Sequence, residues 1–496
     1  MFIKDAFFDK IEALGLALTY DDVRLKSGYS ETDPANVSVE TFFSRNIPLK
    51  TPIVSAAMDT VTDAAMAIAM AKFGGLGIIH RGMDAEAQAK AVRKVKLHLN
   101  GLIAEPITVA PDQTVGEITL HSEEKGYGFH SFPVVDSMGK LVGLITRNDF
   151  EMCRDNSVTA KSIMTPKDQL VTAPVGTTIE DAHKILLQAK KKILPLLDSS
   201  GSLTGMYVYS DLLRLVSGST TDFNIDKNGH LRVGAAVGTG SDALIRAKLL
   251  TEAGVDVIVI DTAHGDSKNV YDALKEIKTN FPNIDVVVGN VTEAASAKRL
   301  ADAGADGVKV GQGPGSICTT RIVAGIGCPQ VTAVYNCAKA LRGMNVPIIA
   351  DGGIRNSGDI PIALGAGASC VMLGRSLAGT TETPGVVKDT PQGQFKVYRG
   401  MGSLGAMRAS KASRERYRQD KVSNDKLVPE GVESVVPYQG DVANVLFKQI
   451  GGLRSGMGYV GANSIASLQE KSDFHRISNA GLAESHPHDV AITDKF

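Results

Sequence analysis

One local pattern recurs along the second half of the chain and narrows its fold more than any other. A helix-compatible stretch meets a small-residue exit and then a short apolar run. The exits are Ala253-Gly254-Val255-Asp256 before 257–260, Ala303-Gly304-Ala305-Asp306 before 308–310, and Gly365-Ala366-Gly367-Ala368 before 371–373. Glycine just past a helix end adopts the left-handed conformation that closes the last turn, so each exit reads as a helix stop followed by a strand. Apolar runs at 231–237, 286–288 and 348–350 fill the intervals. Upstream the alternation occurs again: Pro52-Ile53-Val54-Ser55, an alanine-rich helix over 64–73, then Gly74-Gly75-Leu76-Gly77-Ile78-Ile79-His80. Strands alternating with helices imply parallel pairing through crossovers. The eight candidates predict an α/β fold, a (β/α)8 TIM barrel interrupted after its second unit. An open doubly wound sheet is the alternative. Within the strand–helix alternation no Gly-x-Gly-x-x-Gly fingerprint with a matching acid is present, which weighs against a Rossmann domain.

The interruption repeats itself. Pro133-Val134-Val135-Asp136-Ser137-Met138-Gly139-Lys140-Leu141-Val142-Gly143 is echoed by Pro195-Leu196-Leu197-Asp198-Ser199-Ser200-Gly201-Ser202-Leu203-Thr204-Gly205, and Asp149 by Asp211. Each copy reads strand, helix, strand, turn, strand, helix, and duplicated units of this size pack face to face. The turn and the late aspartate resemble a tandem pair of CBS (cystathionine-β-synthase-type) domains. That likeness implies adenine or other purine nucleotides in the cleft between copies; a packing module without ligand is the alternative. The expected domains are therefore 1–96, the first part of the barrel; 97–216, the CBS pair, with copies at about 103–160 and 163–216; and 217–496, the rest of the barrel. The polar, turn-rich stretch 217–229 reads as the linker.

Length and charge exclude some functions. A chain of 496 residues exceeds one ordinary domain. Its net charge of -1 argues against a general nucleic-acid binder. Five scattered cysteines without a CxxC pair fit a reducing compartment rather than a disulfide framework or a zinc site. No segment reaches the roughly 20 apolar residues that span a bilayer. The last residues, Asp494-Lys495-Phe496, do not read as a peroxisomal or ER address. The expectation is a soluble cytoplasmic protein without a membrane partner.

In a TIM barrel, chemistry sits at the C-terminal ends of the strands. Those ends carry Ser55-Ala56-Ala57-Met58, Asp261-Thr262-Ala263-His264, Gly289-Asn290, Asp351-Gly352-Gly353 and Gly374-Arg375. After Gly307-Val308-Lys309-Val310 comes Gly311-Gln312-Gly313-Pro314-Gly315-Ser316-Ile317-Cys318-Thr319-Thr320. Its glycines let backbone approach a ligand closely, and it ends on a thiol between hydroxyls. A lone cysteine is more often inert core, but a rigid Gly/Pro loop after a strand favours a working nucleophile. The loops after the seventh and eighth strands suit a phosphate. Asp351 and Asp261 read equally as ligands or as turn-capping carboxylates. Beyond the barrel come Tyr398-Arg399-Gly400-Met401-Gly402-Ser403 and a charged stretch over 408–426, with seven Lys/Arg against three Asp/Glu. Such a stretch is ordinarily a solvated face, and beside an active site it can be a lid.

Together these motifs, with Arg416-Tyr417 and Lys426-Leu427-Val428-Pro429-Glu430-Gly431, resemble the IMP dehydrogenase / GMP reductase family over almost the whole chain. The resemblance implies NAD-dependent oxidation of inosine 5′-monophosphate (IMP) to xanthosine 5′-monophosphate, in guanine nucleotide biosynthesis. Cys318 would add to purine C2 and form a thioimidate. A flap at about 403–436 would then bring in Arg416, with Tyr417, Thr320 and Glu430, to activate the hydrolytic water. Substrate contacts would come from Met58, Ser316, Asp351, Gly352, Gly353, Gly374, Arg375, Tyr398, Arg399, Gly400, Met401, Gly402 and Glu430. Asp261, Asn290, Gly311, Gln312 and Gly313 would face NAD. A potassium ion would take the carbonyls of Gly313, Gly315 and Cys318, completed by Glu484, Ser485 and His486 of a neighbouring subunit in a homotetramer or an octamer. Arg375 stands where the family usually has serine, and Arg418 where an aromatic often follows Arg-Tyr.

An arginine is a poor base in water, with a pKa above about 12. It serves only where a closed flap desolvates it and neighbours stabilise its neutral form. GMP reductase shares the barrel and cysteine loop, and a nucleotide-sensing regulator without turnover is a further reading. The Arg416-Tyr417 pair and Glu430 favour the dehydrogenase.

Overall fold

The computed structural model describes residues 2–490 except 100, 104, 126, 128–130 and 217–220. The start of the expected linker and the final 491–496 thus lie outside the described residues. The chain divides into two units, 1–89 with 233–496, and 90–232.

In the first unit eight parallel strands close on themselves. They are β1 Ile53–Ser55, β2 Leu76–Ile79, β3 Gly234–Val237, β4 Val257–Asp261, β5 Asp285–Val291, β6 Gly307–Val310, β7 Ile348–Asp351 and β8 Cys370–Leu373. Pairing of Val371 with Ile53 and Leu373 with Ser55 joins β8 to β1, so no edge remains and the open-sheet alternative fails.

The small-residue exits work as the sequence implies. Gly254, Gly304 and Gly367 have φ of 86°, 98° and 127°. Past each, the next amide reaches back five residues: Val255 to the Leu250 carbonyl, Ala305 to Leu300 and Ala368 to Ala363. This closes the helix as a Schellman cap. The aspartates of two exits then bind the neighbouring strand. Asp256 donates its amide to the Val233 carbonyl and accepts the Val233 amide at 2.8 Å; Asp306 does the same with Val286. One four-residue signal thus ends a helix and sets a strand's register.

The barrel interior is filled. Val54, Leu76, Ile78, Val257, Val259, Val287 and Ile349 meet inside, none accessible to solvent. Phe43, from the hairpin Thr41–Ser44 and Ile47–Leu49, packs among them. That hairpin is tied to the start of β5, where Asp285 accepts from the Ser44 hydroxyl at 2.6 Å and the Asn46 amide at 2.8 Å. Removing the Phe43 ring would cost about 3–5 kcal/mol. With the N-terminal end plugged, the open cavity lies at the opposite rim.

In the second unit the repeat appears as two small sheets. Phe132–Val135 pairs with Leu141–Ile145, and Ile193–Leu197 with Leu203–Val208. Each hairpin turn is held by its aspartate: Asp136 Oδ1 accepts from the amides of Met138 and Lys140, and Asp198 Oδ1 from those of Ser200 and Ser202. The copies also pair with each other. The Leu141 amide donates to the Gly201 carbonyl and the Leu203 amide to the Gly139 carbonyl. This reciprocity is that of a local two-fold. Among the described residues, no helix is long and apolar enough to cross a membrane.

Candidate active site

The rim of the barrel holds a cavity of about 570 Å³. Cys318 lies on its wall, in the loop leaving β6. The loop is held from several sides. The Gly311 amide donates to Val291, and the Gly311 carbonyl accepts from Asn290 Nδ2 at 2.7 Å. Gly311 has φ of 145°, and a β-carbon there would fall 2.1 Å from the Asp351 carbonyl oxygen. Only glycine lets this loop seat against the end of β7. The Cys318 amide donates to the Gly315 carbonyl at 3.0 Å, and its sulfur lies 3.2 Å from Thr320 Oγ1. The flanking backbone pairs with the segment returning from the charged excursion. Thr319 donates to the Glu430 carbonyl, Val432 to that of Ile317, and Cys318 bridges Gly431.

At the floor lies the one charged residue of the otherwise apolar run 307–310. Lys309 of β6 is 2% exposed, and its Nζ stands 2.9 Å from Asp261 and 2.6 Å from Asp351. It also donates to the Asn290 side-chain oxygen, while Asn290 Nδ2 reaches Asp351 at 2.9 Å. A lysine within a buried four-residue strand was the available signal, since unpaired charges are not left in cores. Gln312 adds a second polar node, donating to the Ala263 carbonyl at 3.1 Å and to His264 Nδ1 at 3.2 Å.

The opposite wall comes from β7, β8 and a strand beyond the barrel, β9 Gly393–Arg399. Gly352 and Gly353 have φ of 92° and 83°, so their amides turn at the rim against Pro314. Tyr398 is buried, and burial pushes its phenol up to about 12, against a side-chain hydrogen bond with Ser316. A β-carbon at Gly374 would lie 3.0 Å from that phenol and 3.4 Å from the Met58 sulfur. Arg375 is exposed, lines the cavity and makes no ion pair among the described residues.

The charged excursion folds over this cavity. It forms the helices Leu404–Ala409 and Lys411–Arg416 and returns as β10 Glu433–Pro437, antiparallel to β9. The last residues of the stretch expected as flap are therefore strand. Arg416 reaches in and donates to Asp261, while its carbonyl accepts from Ala263. Tyr417 lies against Gly402, where a β-carbon would come within 2.6 Å of the ring. Burial raises the Tyr417 pKa, with the Arg416 charge opposing.

All the expected catalytic residues line the cavity, as do the expected substrate- and cofactor-side residues other than Arg399 and Gly402. Arg399 turns away to an ion pair with Asp59 at 2.6 Å, and Gly402 serves as the bed for Tyr417. Glu484, Ser485 and His486 are exposed at the end of the helix Asn479–Glu484 and do not line it. Tyr20 does line it, and was not anticipated.

The family model described as IMP dehydrogenase / GMP reductase domain matches residues 17–488. A curated relative from Aquifex aeolicus, named inosine-5′-monophosphate dehydrogenase, is 52% identical over 478 residues, 96% of each chain. A Bacillus subtilis protein of the same name is 48% identical over 478 residues, again 96% of each. Among solved structures, a variant GMP reductase from Trypanosoma brucei in complex with guanosine 5′-monophosphate aligns with a TM-score of 0.86 at 41% identity. It covers 97% of this chain and 100% of that one.

Proposed function

The chain belongs to the IMP dehydrogenase / GMP reductase family, and from that premise we propose that it oxidises IMP to xanthosine 5′-monophosphate with NAD. The observation carrying this choice is Arg416, seated on Asp261 in the same cavity as Cys318. An arginine brought to the nucleophile by a separate arm serves a hydrolytic step. Oxidation of IMP ends in one, and reduction of GMP does not.

In this reading the Cys318 thiolate adds to purine C2. NAD, which Asp261 and Asn290 would hold, would supply the acceptor for the hydride leaving C2, and a thioimidate would remain on the Cys318 sulfur. Asp351 holds the ribose hydroxyls, and the loops at Gly353 and Gly374 take the phosphate. Asp261 and Asn290 face the cofactor side; both carboxylates, Asp261 and Asp351, are ion-paired to Lys309, which holds them in place. The arm then occupies the cofactor side, and Arg416 exchanges places with the dinucleotide on Asp261. Arg416, supported by Tyr417, Thr320 and Glu430, takes a proton from water as its oxygen attacks C2. The C–S bond breaks, and Cys318 and the product are released. Alternating occupation lets one cavity exclude water for hydride transfer and admit it afterwards.

The carbonyl oxygens of Gly313, Gly315 and Cys318 fit potassium, a cation that takes neutral oxygen ligands. Glu484, Ser485 and His486 do not line the cavity and would complete the shell from a partner subunit, which is the reason to expect a homotetramer. The repeat over 97–216 is read as a tandem CBS module that binds purine nucleotides and tunes assembly, to tetramer or octamer. Five free cysteines accord with a cytoplasmic setting.

The likeness to solved GMP reductases supports one second reading, reduction of GMP by a reduced nicotinamide. Absorbance at the NADH band separates the two. Growth with IMP and NAD, dependent on potassium, is expected; decay with GMP and NADPH, and none with the first pair, would replace the first reading by the second.

A further inference from the structure

Arg81 follows β2 and is 6% exposed, yet it lines no part of the cavity. Its Nη1 lies 3.3 Å from Glu415 Oε2. Glu415 sits in the helix Lys411–Arg416, directly before the arginine that reaches Asp261. Space for the guanidinium is made by Gly238, just after β3, where a β-carbon would come within 2.5 Å of Nη1. The surroundings are otherwise cationic: burial first, then the charge of Arg416, pushes the Arg81 pKa down to about 10, with Glu415 opposing. A buried cation among cations is thus matched by a carboxylate that belongs to the arm. With the arm displaced, that match is lost.

We propose that Arg81 is a positioning residue for hydrolysis, anchoring Glu415 so that the neighbouring Arg416 and Tyr417 are held at the nucleophile. Two successive arm residues are then fixed to two different strand ends, Glu415 beside β2 and Arg416 on β4. One point of attachment would let the helix end pivot; two fix its orientation. The anchor acts through the arm and touches neither substrate nor cofactor. It rests on the dehydrogenase reading for its catalytic consequence, but not for its geometry.

The test compares wild type with Arg81→Met, Arg81→Lys, Glu415→Gln and the Met/Gln double variant in single-turnover quench experiments with IMP and NAD. For Arg81→Met the NADH burst should stay within about twofold, while adduct hydrolysis slows roughly tenfold and adduct accumulates. Arg81→Lys should recover most of the rate, and the double variant should be no slower than either single one. Trypsin cleavage within 411–426 should be faster in Arg81→Met than in wild type, whatever the reaction. Glu415→Gln, at the more exposed partner, keeps the test available should Arg81→Met fail to fold. Unchanged hydrolysis with a normal wild-type burst, or burst and hydrolysis falling together, would overturn the anchor, as would equal cleavage rates. Absence of any burst in wild type would instead overturn the dehydrogenase reading, leaving proteolysis to judge the anchor.

Discussion

Lys309 is ion-paired to Asp351 at 2.6 Å and, through the same ammonium, to Asp261 at 2.9 Å. The carboxylate expected to hold substrate ribose and the one on which Arg416 rests share a single buried counter-charge. Lys309→Met would leave both without it. A loss of about 3–5 kcal/mol in stability is expected, the range for breaking a buried pair from one side. Urea unfolding of the folded variant checks this; a change below about 1 kcal/mol would mean that Lys309 is dispensable to the floor.

Thiol reactivity should sort by burial. Cys337 and Cys370 are fully buried, and burial pushes both thiols far above the usual cysteine range; Cys328 is pushed up to about 11. The thiolate is the reactive form, so iodoacetamide at pH 8 should modify Cys318 and Cys153 and spare the other three. Labelling of Cys328 should rise only as pH approaches its raised pKa. IMP should protect Cys318 alone. Peptide mass spectrometry reads all five sites, and unprotected Cys318 would count against its place at the purine.

Replacing Arg416 separates the two chemical steps. Arg416→Ala removes the group placed on Asp261 but leaves the Cys318 loop untouched. The NADH burst should persist, and steady-state turnover should fall by about 10²–10⁴-fold, the usual worth of a positioned base. Stopped-flow absorbance followed by mass spectrometry of the trapped protein would show the adduct. Loss of the burst together with turnover would remove Arg416 from the second step.

Arg375, which makes no ion pair among the described residues, presents its cation to the cavity where phosphate is expected. Arg375→Ser should raise KM for IMP roughly fivefold with kcat little changed, the scale of one solvent-exposed charge contact of about 1 kcal/mol. An unchanged KM would place this side chain outside substrate recognition.

Much of this architecture was legible because it is written in local signals. The exits at Gly254, Gly304 and Gly367 announce helix stops, and the apolar runs beyond them are strands β4, β6 and β8. The loop around Cys318 was legible for a similar reason: its glycines signal close backbone approach or a left-handed turn, and Gly311 and Gly313 meet both. The floor was not. Lys309 is one charge in an apolar run, and its meaning comes from Asp261 and Asp351, 48 and 42 residues away in sequence. Arg399 misled for the same reason. Its glycine-rich neighbourhood suggested a ligand contact, but Asp59, across the barrel in sequence, claims its guanidinium. Arg81 and Glu415 are 334 residues apart, and no local pattern joins them.

The backbone clasp of Ile317 to Val432 and Thr319 to Glu430 limits what can travel. The nucleophile's own main chain grips the return end of the excursion, so any swing must take place upstream of Glu430. Glu430 is then part of the anvil and Arg416 part of the hammer. Insertions that lengthen the excursion should be absorbed before the clasp, whereas a proline at Val432 would break a rung and loosen the sulfur itself.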